Sequence, residues 1–268
     1  MLTEDEAGLG RRRKRKVRGR KKGRGGDPAH PLPLSALPRH SWYLACKRPL
    51  DVALALVLLA AAGPLLLLAW LLVKLTSCGP GFYAQTRLGR GGRPFTLYKI
   101  RTMVHDCESL SGPRWSLPGD PRVLPVGRWL RRAHLDELPQ LWNVLRGDMS
   151  LVGPRPERTE FVPQLAKAVP HYRDRLRVRP GLTGLAQVLA PPDTDLASVR
   201  RKLAYDLDYL QRLGFWLDMR LLAATAWHLL GLRPARALRL CPPSLAERAE
   251  RAYRGLATSN KVAPAALN

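Results

Sequence analysis

Two adjacent carboxylates, Asp136 and Glu137, open the stretch LDELPQLWNVLRGDMSLVGPRP, residues 135–156, and are the foremost candidates for chemistry in the 268-residue chain. They stand just before Leu138, Leu141, Trp142 and Leu145, whose spacing predicts one buried helical face, so the acids are expected at a helix N-terminus. There the unpaired N–H groups and the helix dipole favour negative charge, keeping a carboxylate ionised and offering donors to a phosphate oxygen. An ionised Asp can act as a nucleophile. Pro139 agrees with an early-turn position, with His134 or Asp136 as the N-cap. Downstream, Gly147, Gly153, Pro154 and Pro156 predict a sharp, irregular turn around Arg155, whose fork of donors suits a phosphate or a carbonyl edge. Taken alone, an Asp-Glu pair is as well read as a capped surface helix before a Pro-rich loop, so its neighbours decide.

Several elements must position these groups. Two strand-like runs, Phe82 to Leu88 and Phe95 to Met103, flank a Gly- and Arg-rich turn and predict a β-hairpin. On the second run Lys99 and Arg101 fall on one face by period two, so both can point into one site, although a solvated sheet face gives the same pattern. The Pro- and Gly-rich region 107–125 reads as a surface loop. Arg128, Arg131 and Arg132 then lead into the acids, with Arg131 about a turn and a half before Asp136 if the helix starts early. A second Pro-Gly turn, RPGLTG from Arg179, leads to Leu185 to Leu189 as a short strand or loop. Leu196, Val199, Leu203, Leu207 and Leu210 predict an amphipathic helix over 195–213. Residues 215–232 form another, placed by Trp216 and Trp227 either at a membrane interface or in the core.

The charge balance is +24, with 45 Lys and Arg against 21 Asp and Glu. The first 26 residues supply +8 of it, so the main body is basic as well and an anionic partner is expected. From Arg11 to Arg24, eleven of fourteen residues are basic, too repulsive to fold alone. Such a tail suits an anionic membrane surface, at about 1 kcal/mol per basic residue near the lipid, or nucleic acid as the competing partner. Cys46, Cys78, Cys107 and Cys241 are widely spaced and read as reduced thiols of a cytoplasmic compartment.

From Val52 to Val73 runs a 22-residue apolar segment, long enough to cross a bilayer. Gly63 and Pro64 stand at its centre, where Pro removes a backbone hydrogen bond and predicts a break. Both flanks are basic, through Lys47 and Arg48 on one side and Lys74, Arg87, Arg90 and Arg93 on the other, so both ends are expected on the cytoplasmic face. A helix that enters, bends at Pro64 and returns satisfies both demands and is favoured over a straight span.

Assembled, the motifs resemble the bacterial sugar transferases, the monotopic phosphoglycosyl transferases that start glycoconjugate assembly on a polyprenyl phosphate. The resemblance runs from Lys47 to about Leu222: KRPLD, the central Pro64, GPGFYAQTRLGRGG, FTLYKIRTM, DPRV, GRWLRR, the acidic core, RPGLTGLAQV, YDLDYL and WLDMRLL. It implies an α+β, mostly helical, monotopic membrane protein with a re-entrant N-terminal helix hairpin, a β-hairpin and amphipathic interfacial helices. It also implies an enzyme on the cytoplasmic face of the bacterial inner membrane, with Mg²⁺ as cofactor and Asp136 as its ligand. Nucleotide sugar, polyprenyl phosphate and anionic membrane lipids are the implied partners, and no nucleic acid. Asp136 is cast as the nucleophile that takes up a sugar-phosphate and Glu137 as its partner, with Lys99, Arg101, Arg131, Arg155, Gln187 and Asp218 as substrate-binding candidates. Two local departures matter. His134 stands where the family usually has a capping Ser, and Leu189, Ala190, Pro191 and Pro192 stand where a Gly-Arg-Asn turn is typical.

The expected organisation is a basic tail and linker (1–40), a re-entrant membrane helix (41–75), a catalytic domain (76–232) and a partly disordered C-terminal extension (233–268). The expected activity is transfer of a sugar-1-phosphate from a nucleotide diphosphate sugar, a UDP-sugar first, to undecaprenyl phosphate, initiating exopolysaccharide assembly. The rivals are an inactive family member serving as a membrane scaffold and a membrane-tethered nucleic-acid-binding protein.

Overall fold

The structure, a computed structural model, describes residues 42–109, 112, 119–190, 195–230 and 243–258. The basic tail, the loop residues 113–118 and the Pro191-Pro192 step lie outside the described residues.

A single 35-residue helix, α1 (Trp42–Thr76), opens the described chain. It stays helical across Gly63 and Pro64, so the expected break does not end it. At 1.5 Å per residue it is about 52 Å long. Its two ends pack on one body. On the first half, Asp51 accepts hydrogen bonds from Ser150 Oγ (2.7 Å) and the Leu151 amide (3.3 Å), and Arg48 donates to the Val144 and Leu145 carbonyls. On the second half, Ala69 and Val73 are buried with Ile100 and Leu130. Between them Leu56, Val57, Leu58, Leu65, Leu67 and Leu68 are exposed. The helix is long and apolar enough to cross a membrane by length and composition.

The rest is mostly helical with two small two-stranded sheets. β1 (Phe82–Leu88) and β2 (Pro94–Ile100) form the expected antiparallel hairpin, with Tyr83 opposite Lys99. β2 ends three residues earlier than the sequence pattern suggested, and Met103 makes an isolated bridge to Val123 instead. The second sheet was not expected. β3 (Ser150–Val152) and β4 (Gly181–Thr183) pair in parallel, joining the two Pro-Gly stretches that read as irregular turns. The crossing needs glycine: a Cβ on Gly181 would stand 2.1 Å from the Gly153 nitrogen, and one on Gly153 2.6 Å from the Arg179 carbonyl.

Between the sheets lie α2 (Pro125–Arg132), with Pro at its first turn, and α3 (Gln140–Arg146), closed by Gly147 at φ 93°. After β3 come α4 (Val162–Ala168) and a 3₁₀ stretch, Tyr172–Arg177. α5 (Leu185–Leu189) is helical where a strand or loop was expected. α6 (Leu196–Arg212) begins with a capping box in which Asp195 and Ser198 bond each other's backbone amides. Apart from the half-buried Leu196 the predicted stripe is buried, and so are Tyr205, Asp206, Asp208 and Tyr209 from the rest of its circumference, because α5, the 3₁₀ stretch and the last helix enclose it. α7 (Phe215–Leu229) follows, with Trp216 exposed and Trp227 packed against the core. α8 (Pro243–Thr258) is an ordered helix against α6 inside the segment expected to be partly disordered.

Candidate active site

The acids do not begin α3. α2 is capped by Ala133, His134 takes a left-handed conformation (φ 55°, ψ 19°), and Leu135–Glu137 form a separate 3₁₀ turn. Pro139 caps α3, and its first turn carries no acid. The expected N-terminal placement is therefore corrected by one tight turn, and Arg131 belongs to its own helix on the far side of the reversal. Trp142, expected on the buried face, is 53% exposed, whereas Leu141 and Val144 fill the core.

Asn143 sets this turn against the hairpin. It is fully buried, its Oδ1 accepts from the Tyr98 amide (3.1 Å) and its Nδ2 donates to the Thr96 carbonyl (2.7 Å). These two bonds fix α3 alongside β2 and bring Lys99 beside the acidic turn. Lys99 Nζ donates to Glu137 Oε1 at 2.9 Å, and Arg155 donates to the same oxygen at 2.6 Å. Burial pushes the Glu137 carboxyl up, but Arg155 and Lys99 together outweigh it and hold that carboxyl well below the usual carboxylate range. Asp136 differs. It is buried to 7% exposure, burial moves its carboxyl above the ordinary value against the pull of Lys99, and its carboxylate makes no hydrogen bond or ion pair among the described residues. One carboxylate thus anchors the cations, and its neighbour stays uncommitted.

The segment carrying Arg155 is itself clamped. Arg175, buried in the 3₁₀ stretch, donates to the Arg155 carbonyl (3.0 Å), to Glu157 Oε1 (3.0 Å) and to the Tyr172 hydroxyl (2.9 Å). It also pairs with Asp206 of α6 at 2.7 Å. Burial pushes Asp206 up to about 6 despite this partner. Arg87 donates to the neighbouring Pro156 carbonyl at 3.0 Å.

These groups surround a cleft of about 1010 Å³. Lys99, Arg101, Arg131, Asp136, Glu137 and Arg155 all line it. Arg131 Nε donates to Thr102 Oγ1 (2.8 Å), while Arg101 reaches the Ser77 (2.9 Å) and Cys78 carbonyls beyond the end of α1. Gln187 and Asp218 do not line it. Gln187 donates to the Leu182 carbonyl (3.0 Å), supporting the turn after β4. Asp218, 1% exposed, accepts from the Tyr43 (2.6 Å) and Tyr209 (3.0 Å) hydroxyls and pairs with Lys47 at 2.5 Å, tying α7 and α6 to the first turn of α1. Pro64 lies on the exposed stretch of α1.

Sequence reasoning missed Arg87, Arg158 and Lys202 on the cleft wall and Arg175 behind it. Arg87 was within reach, since Tyr83, Gln85 and Arg87 share by period two the face whose register partner is Lys99. Arg158 was not, because its bidentate pair with Glu108 (2.8 and 2.7 Å) joins two irregular segments fifty residues apart.

The family model described as bacterial sugar transferase matches residues 42–231. A UDP-glucose:undecaprenyl-phosphate glucose-1-phosphate transferase of Caulobacter vibrioides is 46% identical over 205 residues, covering 76% of this chain and 74% of that protein. The exopolysaccharide production protein PSS of Rhizobium leguminosarum bv. phaseoli is 40% identical over 187 residues, 68% of this chain and 94% of the relative. A UDP-N-acetylgalactosamine-undecaprenyl-phosphate N-acetylgalactosaminephosphotransferase of Aeromonas hydrophila is 39% identical over 199 residues, but the match spans only 47% of that longer protein.

Proposed function

The chain belongs to the bacterial sugar transferase family, and on that premise we propose that it moves a sugar-1-phosphate from a UDP-sugar to undecaprenyl phosphate, opening exopolysaccharide assembly. The observation that carries this reading is the unlike pair at the cleft floor: a buried, uncommitted Asp136 beside a Glu137 that holds Lys99 and Arg155. An Asp136 carboxylate oxygen attacks the phosphorus bearing the sugar, the bond to the nucleotide's bridging oxygen breaks, and nucleoside monophosphate leaves. The lipid phosphate then attacks the same phosphorus and Asp136 is released. Lys99, Arg131 and Arg155 sit where a diphosphate would need charge neutralised.

The residues present fit Mg²⁺. This ion uses one or two carboxylates plus substrate phosphates and water, and Asp136 offers an unbonded carboxylate with the second oxygen of Glu137 beside it. When bound, the ion would screen the diphosphate and ease departure of the nucleotide.

The burial pattern of α1 supports a monotopic arrangement. Ala55 and Ala69 would stand about 21 Å apart on a straight helix, both pack on the body, and the apolar stretch between them is left for lipid. Basic flanks at both ends support placing the catalytic body on the cytoplasmic face of the inner membrane.

The experiment is release of nucleoside monophosphate from a panel of UDP-sugars by purified protein with Mg²⁺ and undecaprenyl phosphate, beside Asp136→Ala. Release that needs lipid and metal and disappears in the variant is expected. Absence of release from every donor, in folded and membrane-bound protein, would favour a scaffold role instead.

A further inference from the structure

Outside the acidic pair, the cleft rim carries a feature that the transfer reading does not use. His134 and His228 meet edge-to-face with ring centroids 6.0 Å apart. His134 is exposed and lines the cleft two residues before Asp136. His228 comes from the last turn of α7 and is exposed too, followed by Leu229 at 53% and Leu230 at 73% exposure.

This rim faces the apolar helix. Leu135, next to His134, packs with Leu66, Ala69, Trp70 and Val73 of α1. The opposite wall of the cleft runs away from α1: Ile100, paired with Phe82, lies against α1, and Arg87 stands five residues further along the strand, about 17 Å away. A soluble donor can use the remote basic wall of Arg87, Arg158 and Lys202. A phosphate on an apolar chain must arrive from the α1 side, where Arg101 and Arg131 line the cleft and the exposed His134 meets His228 beside exposed leucines.

We infer that His134 and His228 form the recognition site for the phosphate monoester of the lipid acceptor, each giving a ring N–H to its oxygens while the first isoprenes lie along Leu229 and Leu230. The inference rests on the transfer reading above. Imidazole N–H groups suit this task because they donate to a phosphate without committing a permanent charge next to the apolar surface. The left-handed backbone at His134 turns its side chain to the rim, at a position where a short hydroxyl would not reach as far.

The test uses the full chain in lipid nanodiscs, with its UDP-sugar and a short-chain polyprenyl phosphate varied independently. His134→Gly keeps the left-handed backbone without steric cost, and His228→Ala changes an exposed side chain near a helix end. Each is expected to raise KM for the acceptor on the order of ten-fold, the usual loss for one hydrogen bond to a charged group, with KM for the donor unchanged. His228→Gln, which restores an N–H at similar reach, is expected to recover part of the loss. Exchange of labelled nucleoside monophosphate into the UDP-sugar without acceptor should persist in His228→Ala. Acceptor KM within two-fold of the unsubstituted chain in both variants, or a donor KM rising in step, would overturn the site. Loss of exchange and turnover in the unsubstituted chain would instead remove the transfer reading, and the site with it.

Discussion

Arg175→Met should uncouple stability from catalysis in a way that a second substitution exposes. Arg175, itself buried, joins Asp206, Glu157, Tyr172 and the Arg155 carbonyl in one network. Removing one partner of a buried ion pair typically costs 3–5 kcal/mol, roughly, because the other charge is left unpaired. Each kcal/mol moves the melting temperature of a body this size by about 2–4 °C, so the variant should melt about 6–20 °C lower. Replacing both charges is different, since an apolar pair of similar volume is often neutral. Arg175→Met with Asp206→Leu should therefore recover at least half the loss. Activity should not follow. The Arg155 carbonyl has lost its tether in both proteins, so the guanidinium that holds Glu137 is no longer fixed, and kcat should stay low in the double variant while its melting temperature recovers. Thermal unfolding in detergent and nucleoside monophosphate release measure the two quantities on the same preparations. A double variant melting as low as the single one, or regaining kcat together with stability, would refute the role given to Arg175.

Three further outcomes follow from the same geometry. Asp136→Asn should abolish turnover yet raise the melting temperature by about 2–8 °C, since it removes a charge that burial penalises. Glu137→Gln should cost about 2–3 kcal/mol at pH 7 by taking the shared anion from Lys99 and Arg155. Its folded carboxyl is depressed, so the unsubstituted chain holds that contribution above the unfolded value and loses it as pH falls through the folded one; denaturant midpoints of the two proteins should converge in acid. Asp206 has the opposite sign: raised to about 6, its contribution is complete below the unfolded value near 4 and is lost as pH rises through about 6. Asp206→Asn should accordingly gain on the unsubstituted chain between pH 4 and pH 7 in the same titration.

How far the sequence revealed this site depends on how local each cause is. The hairpin and the amphipathic α6 were legible because period and turn chemistry act over a few residues, whereas the grouping of Lys99, Asp136, Glu137 and Arg155 came from the family resemblance. The β3–β4 pair was not, since two three-residue strands thirty residues apart carry no periodicity and declare themselves only through the close passage of Gly153 and Gly181. Pro64 predicted a break that does not interrupt the helix. A proline removes one hydrogen bond wherever it sits, but α1 carries on through it, with both of its ends packed on the body.

The unlike fates of Asp136 and Glu137 were beyond sequence altogether. Side by side in the chain they are the same functional group, and mutual repulsion alone would merely push one carboxyl up without choosing which. The choice is made from outside the turn: Asn143 sets β2 so that Lys99 meets Glu137, and Arg175 holds the Arg155 backbone so that its guanidinium meets the same oxygen. With both cations committed there, Asp136 keeps a buried carboxylate with no competing bond, the condition a nucleophile needs. The residues that single out the nucleophile are therefore a buried Asn on α3 and a buried Arg twenty residues beyond Arg155. Neither stands in the acidic motif itself, so substitutions at these two positions should change which carboxylate is free without altering either one.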